Sequence, residues 1–371
     1  MLVSAAALAG CGDNITRAAP DAGPPPAPVV RAVVVAGDVN PAHPGVLSIY
    51  DPATGVVRKN AAPAMAVGDD PVLRHFGHEL FIVNRADGNN VTILDDRTLA
   101  FEEQLGTGAS SNPQDVAVVG AKLYVPTYGS AGVTALTRGS TATSVIDLSA
   151  DDPDGKPNCE SIYRVGQDLY VVCQLLDDTQ QFLPPRGPGK VYVIDTATDR
   201  VRASLTLGHD NPFSLLEQVP AGAPHGGELV VGTVKFDDGS GAGCVERIVP
   251  GATPQAAGCL VDNADLGGYA SRIAFQSDAG GALGLFAVPT TFPKADLRAL
   301  DMPTGMLRSG ALNASSEIAA DVVVCPGDQI VIADPTMDAN GLRVYQGSME
   351  KTTAAQPIGL PPASTHGLVC Y

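Results

Sequence analysis

The stretch Lys190-Val191-Tyr192-Val193-Ile194-Asp195-Thr196-Ala197-Thr198-Asp199-Arg200-Val201 decides the fold. Its first half reads as a short β-strand, Asp195 ends it, and a polar turn leads into a return strand at Arg200-Val201. Weaker copies stand at Val46 to Gly55, Val91 to Thr98 and Leu297 to Gly305. A carboxylate at the strand end accepts hydrogen bonds from amides two residues on and fixes a tight turn. Asp51, Asp95, Asp147, Asp195 and Asp301 are therefore read as turn caps, since recurrence along a chain is the mark of structure rather than of catalysis.

A second strand pair lies between these hairpins, as in Pro113 to Val119 followed by Lys122-Leu123-Tyr124-Val125, and Cys159 to Val165 followed by Asp168 to Val172. Similar pairs begin near Pro71, Pro212, Tyr269 and Ile318. The unit recurs every 42 to 57 residues or so, and four short antiparallel strands per unit make a propeller blade. Inner strands are expected near residues 71, 113, 158, 211, 268, 318 and 365, which makes seven blades. The last of them is a lone strand, and the first blade, at Arg31 to Val35, lacks an inner strand of its own. The expected fold is an all-β, seven-bladed β-propeller of four-stranded antiparallel blades, closed by the C-terminal strand, because closure removes exposed edges.

The hairpin at Val191 to Val201 and the run Gly108 to Val118 resemble the YVTN-type β-propeller repeat of bacterial surface and exported proteins, with its "VSVIDTATN" hairpin and "G..P..VAV" strand. That resemblance covers most of residues 30–371 and is strong in two or three blades. Val249-Pro250 and Tyr345-Gln346 stand where the hairpin Asp is expected, so the later blades depart from the pattern.

Ahead of the repeats, Leu8-Ala9-Gly10-Cys11 follows a short apolar run and matches a bacterial lipoprotein signal, in which Cys11 takes the lipid. Met1 to Gly10 holds no Lys or Arg, so a start upstream that supplies the positive region is expected. The domain reading is residues 1–11 as signal, residues 12–29 as a Pro/Ala/Gly-rich tether, and residues 30–371 as the propeller. Location follows: a cell envelope, lipid-anchored and facing the periplasm or outer membrane, with the membrane reached only through the anchor.

Beyond Cys11 an even set remains, Cys159, Cys173, Cys244, Cys259, Cys325 and Cys370, in a chain expected to meet oxidising conditions. Six cysteines allow 15 connectivities. Blade assignment places Cys159 with Cys173 on one hairpin and Cys244 with Cys259 on another, leaving Cys325 and Cys370 to lock the ring closure. That third pair requires neighbouring inner strands to bring Cα atoms within ~4.4–6.8 Å. No Cys-x-x-Cys occurs, and no His stands at zinc-ligand spacing from any Cys, which argues for staples over metal.

A formal net charge of −17 leaves no basic face for nucleic acid. The sequence lacks Gly-x-Ser-x-Gly, His-Glu-x-x-His and a Walker loop. The absence of Trp counts against quinoprotein dehydrogenases and sialidases, and aromatics at 5% against a sugar-stacking surface. His75-Phe76-Gly77-His78 is read as surface.

Two classes survive. The first is a monomeric binding scaffold whose longer loops, on the face carrying the second-to-third-strand and blade-to-blade connections, meet an envelope protein, a peptide or a small molecule. The other is a propeller enzyme of the lactonase or lyase type, with Glu160, Asn211, Arg272, Glu317 and His366 gathered at the channel mouth from the starts of inner strands. No cofactor is expected. Ca²⁺ is the one candidate ion, on Asp151, Asp152, Asp154, Asp177, Asp178, Asp237 and Asp238 of the acidic loops, although neither loop carries a full calcium motif. Acylation is checked by metabolic labelling with a palmitate analogue: the label should be lost in Cys11→Ser, and its persistence there removes the anchor.

Overall fold

The chain is seen in a computed structural model that describes residues 30–37, 44–68, 70–236, 239–278, 281–362 and 366–371. Cys11, the tether, Asp237 and Asp238 lie outside the described residues. The described strands form seven sheets of four antiparallel strands. Their second strands show why sequence alternation is weak there: Ala32–Ala36 is buried at every position, and Glu79–Asn84 and Asp168–Cys173 at all but the first. Both faces of these strands pack against neighbouring blades, so both must be apolar. Outermost strands such as Phe101–Gly106 and Arg200–Asp210 are mostly exposed and correspondingly polar.

Tyrosine does the docking between blades that tryptophan does in other propellers. Tyr124 and Tyr170 occupy the same place in the second strands of blades 3 and 4, and both rings are fully buried. The Tyr124 hydroxyl donates to Asp199 in the outer turn of blade 4 (2.5 Å), and that of Tyr170 accepts from the Gly251 amide in the outer turn of blade 5 (3.0 Å). Each ring thus fills the gap between blades while its polar tip is satisfied at the far edge.

Four of the five proposed turn caps hold the hairpins as expected. Asp51 accepts from the amides of Ala53 and Thr54, Asp95 from Arg97 and Thr98, Asp195 from Ala197, and Asp301 from Thr304. Hydrogen bonds from these turns hold the carboxyls of Asp51, Asp95 and Asp301 below the usual range. Asp147 is different. It ends the fourth strand of blade 3, Thr143–Asp147, and accepts from the amide and hydroxyl of Ser149, where the single helical turn Ser149–Asp151 that leads into blade 4 begins. The third-to-fourth turn of that blade uses Arg138-Gly139-Ser140 instead, with Arg138 paired to Glu79 and Glu102 of blade 2.

Two inner strands are shorter than the sequence pattern suggests. In blades 3 and 5 the regular ladder begins only at Ala117 and Glu217, while Pro113 and Pro212 make single bridges to Thr127 and Thr233. Proline has no N–H with which to continue a ladder.

Closure occurs as expected: Leu368, Val369 and Cys370 pair antiparallel with Val34, Val33 and Ala32, placing the last strand innermost in the first blade. The three cysteine pairs are Cys159–Cys173, Cys244–Cys259 and Cys325–Cys370, the last with a Cα separation of 5.1 Å. Adjacent inner strands converge on the axis and so meet the distance requirement.

Deleting Leu368–Tyr371 should open the edge of Ala32–Ala36 and lower the denaturant midpoint sharply, with aggregation. The double change Cys325→Ser with Cys370→Ser should cost between ~3 and 5 kcal/mol, read by urea unfolding, since the chain-entropy model gives that range for loops of this order. Unfolding that matches the unmodified protein in both cases would place the closure elsewhere.

Candidate functional site

Inner strands line the central channel, and the side chains at their beginnings form a polar lining. Arg74, of Pro71–Phe76 in blade 2, makes a two-pronged contact with Asp115 of blade 3, Nε to Oδ1 at 2.7 Å and Nη2 to Oδ2 at 2.8 Å. Burial works against the Arg74 charge, but Asp115 and Glu217 outweigh it and keep the guanidinium firmly protonated. Asp115 has no exposed surface and accepts also from the Val116 amide, the Ser161 hydroxyl and the Ile162 amide of blade 4. The Ser161 hydroxyl in turn accepts the Leu216 amide of blade 5 (2.9 Å).

The other side of the ring repeats the device. Arg272 of blade 6 donates to Glu217 of blade 5 (2.6 Å) and lies 3.1 Å from Asp321 of blade 7. Asp321 accepts the Val322 amide and, across the closure, the Leu368 amide of blade 1 (3.0 Å). From blade 1 the His366 carbonyl accepts the Leu73 amide of blade 2 (2.9 Å). Every one of the seven blade interfaces is thus crossed by a polar link at the axis. Burial pushes the Asp321 carboxyl up to about 6 despite Arg272 and its amide donors.

Of the five residues expected to gather, three belong to this lining. Glu160 is the extra residue of a β-bulge, lying between the paired Cys159 and Ser161, a device that re-aims a side chain. Burial raises its carboxyl to about 7, opposed by Arg85 and reinforced by the negative charges of Asp115 and Asp70. His366 is buried; desolvation, then the fields of Arg272, Arg85 and Arg74, hold it neutral, and its Nδ1 has no partner among the described residues. Arg272 bridges Glu217 and Asp321 as described above.

Asn211 is buried at the beginning of blade 5 with φ +49°, and its Oδ1 lacks a partner. Asn112 and Asn158 adopt the same left-handed backbone (φ +46° and +51°) where blades 3 and 4 begin, so this conformation is a repeat feature. Glu317 is not in the channel lining. It is bound by the Tyr345 hydroxyl, by Arg343 (3.1 Å) and by the Ala314 amide (3.1 Å), which fasten the link between blades 6 and 7 to the third strand of blade 7.

Arg74, Arg85, Asp115, Glu217 and Asp321 were missed in the sequence. A signal existed for two of them: Asp115-Val116 and Asp321-Val322 begin the inner strands of blades 3 and 7 in the same way. Arg85 pairs with Asp70 (2.6 Å) and reaches Gln114 (3.2 Å) near the loop face.

Two cavities meet at the opposite end of the channel, on the tight-turn face. One of about 280 Å³ is lined by Arg74, Glu217 and Arg272 with Phe275 and Val324. The second, of about 500 Å³, shares Arg74 and Phe76 and adds Tyr163. On the loop face a space of about 650 Å³ lies under Phe236 and Tyr269, which pack edge to face with each other and with Phe213.

The acidic loops proved to be cation-paired. Arg186 serves Asp154 (2.8 Å), Asp177 (2.7 Å) and Asp152 (3.5 Å), Lys190 serves Asp151 (2.5 Å), and Lys156 serves Asp178 (3.3 Å). Among the described residues these aspartates do not converge as a group of metal-ligand atoms; one such group exists, at His209, Cys244 and Cys259.

No protein-family model matches the sequence, and no curated protein matches it. Solved structures share its fold. The Pseudomonas aeruginosa periplasmic gluconolactonase PpgL is 17% identical with TM-score 0.61, over 92% of this chain and 99% of that one. The β-propeller domain of Myceliophteria thermophila Cps50 (Swd1) is 12% identical with TM-score 0.57, over 84% and 92%. Apo AztD from Citrobacter koseri is 13% identical with TM-score 0.54, over 92% and 98%. At such identities the likeness establishes the seven-bladed fold alone.

Proposed function

We propose that the channel is a small-molecule site and that the protein hydrolyses a polar cyclic ester, a sugar-acid lactone, with Glu160 as general base. The observation that carries this reading is a buried carboxyl on a bulge, its proton poised at about 7 in the field of the Arg85 cation. A base works best when its pKa lies near the working pH. The ionised Glu160 takes a proton from water as that water attacks the ester carbonyl. The cation of Arg85, whose field reaches Glu160, stabilises the oxyanion, and the ring C–O bond then breaks as Glu160 returns its proton to the leaving alkoxide. The neutral His366 ring, whose buried Nδ1 has no partner among the described residues, supplies a hydrogen-bonding group for a substrate hydroxyl. The gluconolactonase among the similar structures makes gluconolactone the first compound to test.

A second reading, the binding scaffold, has its own observation. The second-to-third-strand loops of four successive blades present Phe182 (88% exposed), Phe236 (47%), Phe292 (97%) and Met337 (85%) on one face. The chain enters the disc on the other face, where Arg31 and Tyr371 exchange backbone hydrogen bonds. An exported protein anchored through Cys11 would therefore turn these apolar tips away from its membrane, toward an envelope partner.

Gluconolactone opening, followed by acid release, should exceed the uncatalysed rate and rise with pH through about 7, because only the ionised Glu160 accepts a proton. Glu160→Gln should lower the rate at least ~10²-fold, the usual contribution of a general base. An unchanged rate in Glu160→Gln, or no rate above background in the intact protein, rejects the hydrolase and leaves the scaffold.

A further inference from the structure

Cys244 and Cys259 do not stand alone. His209, near the end of the long outer strand Arg200–Asp210 of blade 4, crosses to the outer hairpin of blade 5 and sets its Nδ1 3.6 Å from the Cys244 sulfur. Sequence spacing gives no sign of this contact, because the approach is made across a blade interface, 35 positions apart in the chain. The donor atoms of His209, Cys244 and Cys259 all fall within 4.8 Å of one another. A fourth donor stands next to the histidine, outside that group of three. Glu246 lies directly opposite Cys259 in the ladder, is buried, and places Oε1 2.8 Å from the same His209 Nδ1. Its other oxygen accepts the Gly208 amide (2.8 Å), which fixes the carboxylate in place.

We propose that these four side chains form a redox-gated zinc site: a disulfide when oxidised, and a Cys₂HisGlu centre for Zn²⁺ when reduced. Zn–S and Zn–N bonds of ~2.3 and ~2.0 Å at a tetrahedral angle hold sulfur and nitrogen about 3.5 Å apart, close to the separation already present. Two thiolates, one imidazole and one carboxylate are ligands of the kinds zinc takes, and the carboxylate, which lies outside the cluster in the disulfide form, closes on the metal once the reduced sulfurs part. A dithiol supplies the change of state. It transfers two hydrogens to the disulfide, becoming a cyclic disulfide itself and leaving two thiols; Zn²⁺ then displaces both thiol protons, and His209 binds through Nδ1 with its remaining proton on Nε2. Cys259 is not buried and is the more accessible partner for the attack, whereas Cys159 and Cys173 are fully buried, so this pair should be reduced ahead of that one.

The test uses the whole exported chain, reduced with a dithiol, desalted without oxygen and titrated with Co²⁺ and then Zn²⁺. The expected result is two free thiols mapped to Cys244 and Cys259, one metal per chain, a sulfur-to-cobalt charge-transfer band, and displacement of cobalt by zinc. The oxidised protein should bind neither ion. His209→Ala, a change at a partly exposed residue, and Glu246→Gln should each weaken binding at least tenfold and alter the cobalt spectrum, while Cys159→Ser with Cys173→Ser should leave both unchanged. The proposal is overturned if the pair resists the dithiol in the folded protein, if the reduced protein shows no cobalt band, or if His209→Ala and Glu246→Gln bind as tightly as the unmodified chain.

Discussion

A closed circuit of polar links around the axis is what the rest of this molecule depends on. Seven blades packed only by apolar faces can slide against one another, since hydrophobic contact is non-directional. Directional contacts at the narrow end of each blade remove that freedom. Asp115 ties blade 2 to blades 3 and 4, Ser161 extends the tie to blade 5, Glu217 to blade 6, Asp321 to blades 7 and 1, and the His366 carbonyl returns it to blade 2. Buried charges are costly and contribute little net stability when merely paired, but removing one partner leaves the other stranded. Their value here lies in fixing the rotation and height of each blade.

The circuit also explains the chemistry of the channel. Each carboxylate that bridges blades draws an arginine inward, so positive and negative groups are held close with little solvent. Asp115 receives Arg74 and three further donors, so its oxygens are fully hydrogen-bonded. Glu160 is displaced by its bulge from this pattern and shares the field of Arg85 without belonging to a bridge, which is why burial governs its proton. A ring that holds most of its charges rigidly can leave one carboxyl free to exchange a proton near neutrality.

Much of this was legible in the sequence. The Asp-capped hairpin, the blade count, the inserted last strand and all three cysteine pairs follow from local patterns and from the arithmetic of repeats. The side chains of the channel were harder, because several inner strands run for only two or three residues and parity cannot be read from so short an alternation. Glu317 lies only four positions before Asp321, yet Arg343 and Tyr345 draw it away from the axis. Asp147 looked like a hairpin cap because a strand end and a strand-to-helix junction use the same carboxylate geometry. His209 met Cys244 across a blade interface that no spacing rule reports.

Native-state hydrogen exchange at four axial amides that cross blade interfaces addresses the circuit most directly: Leu73, Ile162, Leu216 and Leu368. If the links act as one ring, all four exchange only on global unfolding and share one free energy of opening, and Asp321→Ala lowers that free energy for every one of them, including Ile162 on the far side. If Leu368 exchanges orders of magnitude faster than Ile162, or if Asp321→Ala affects Leu368 alone, the interfaces are independent and the account of a closed circuit is wrong.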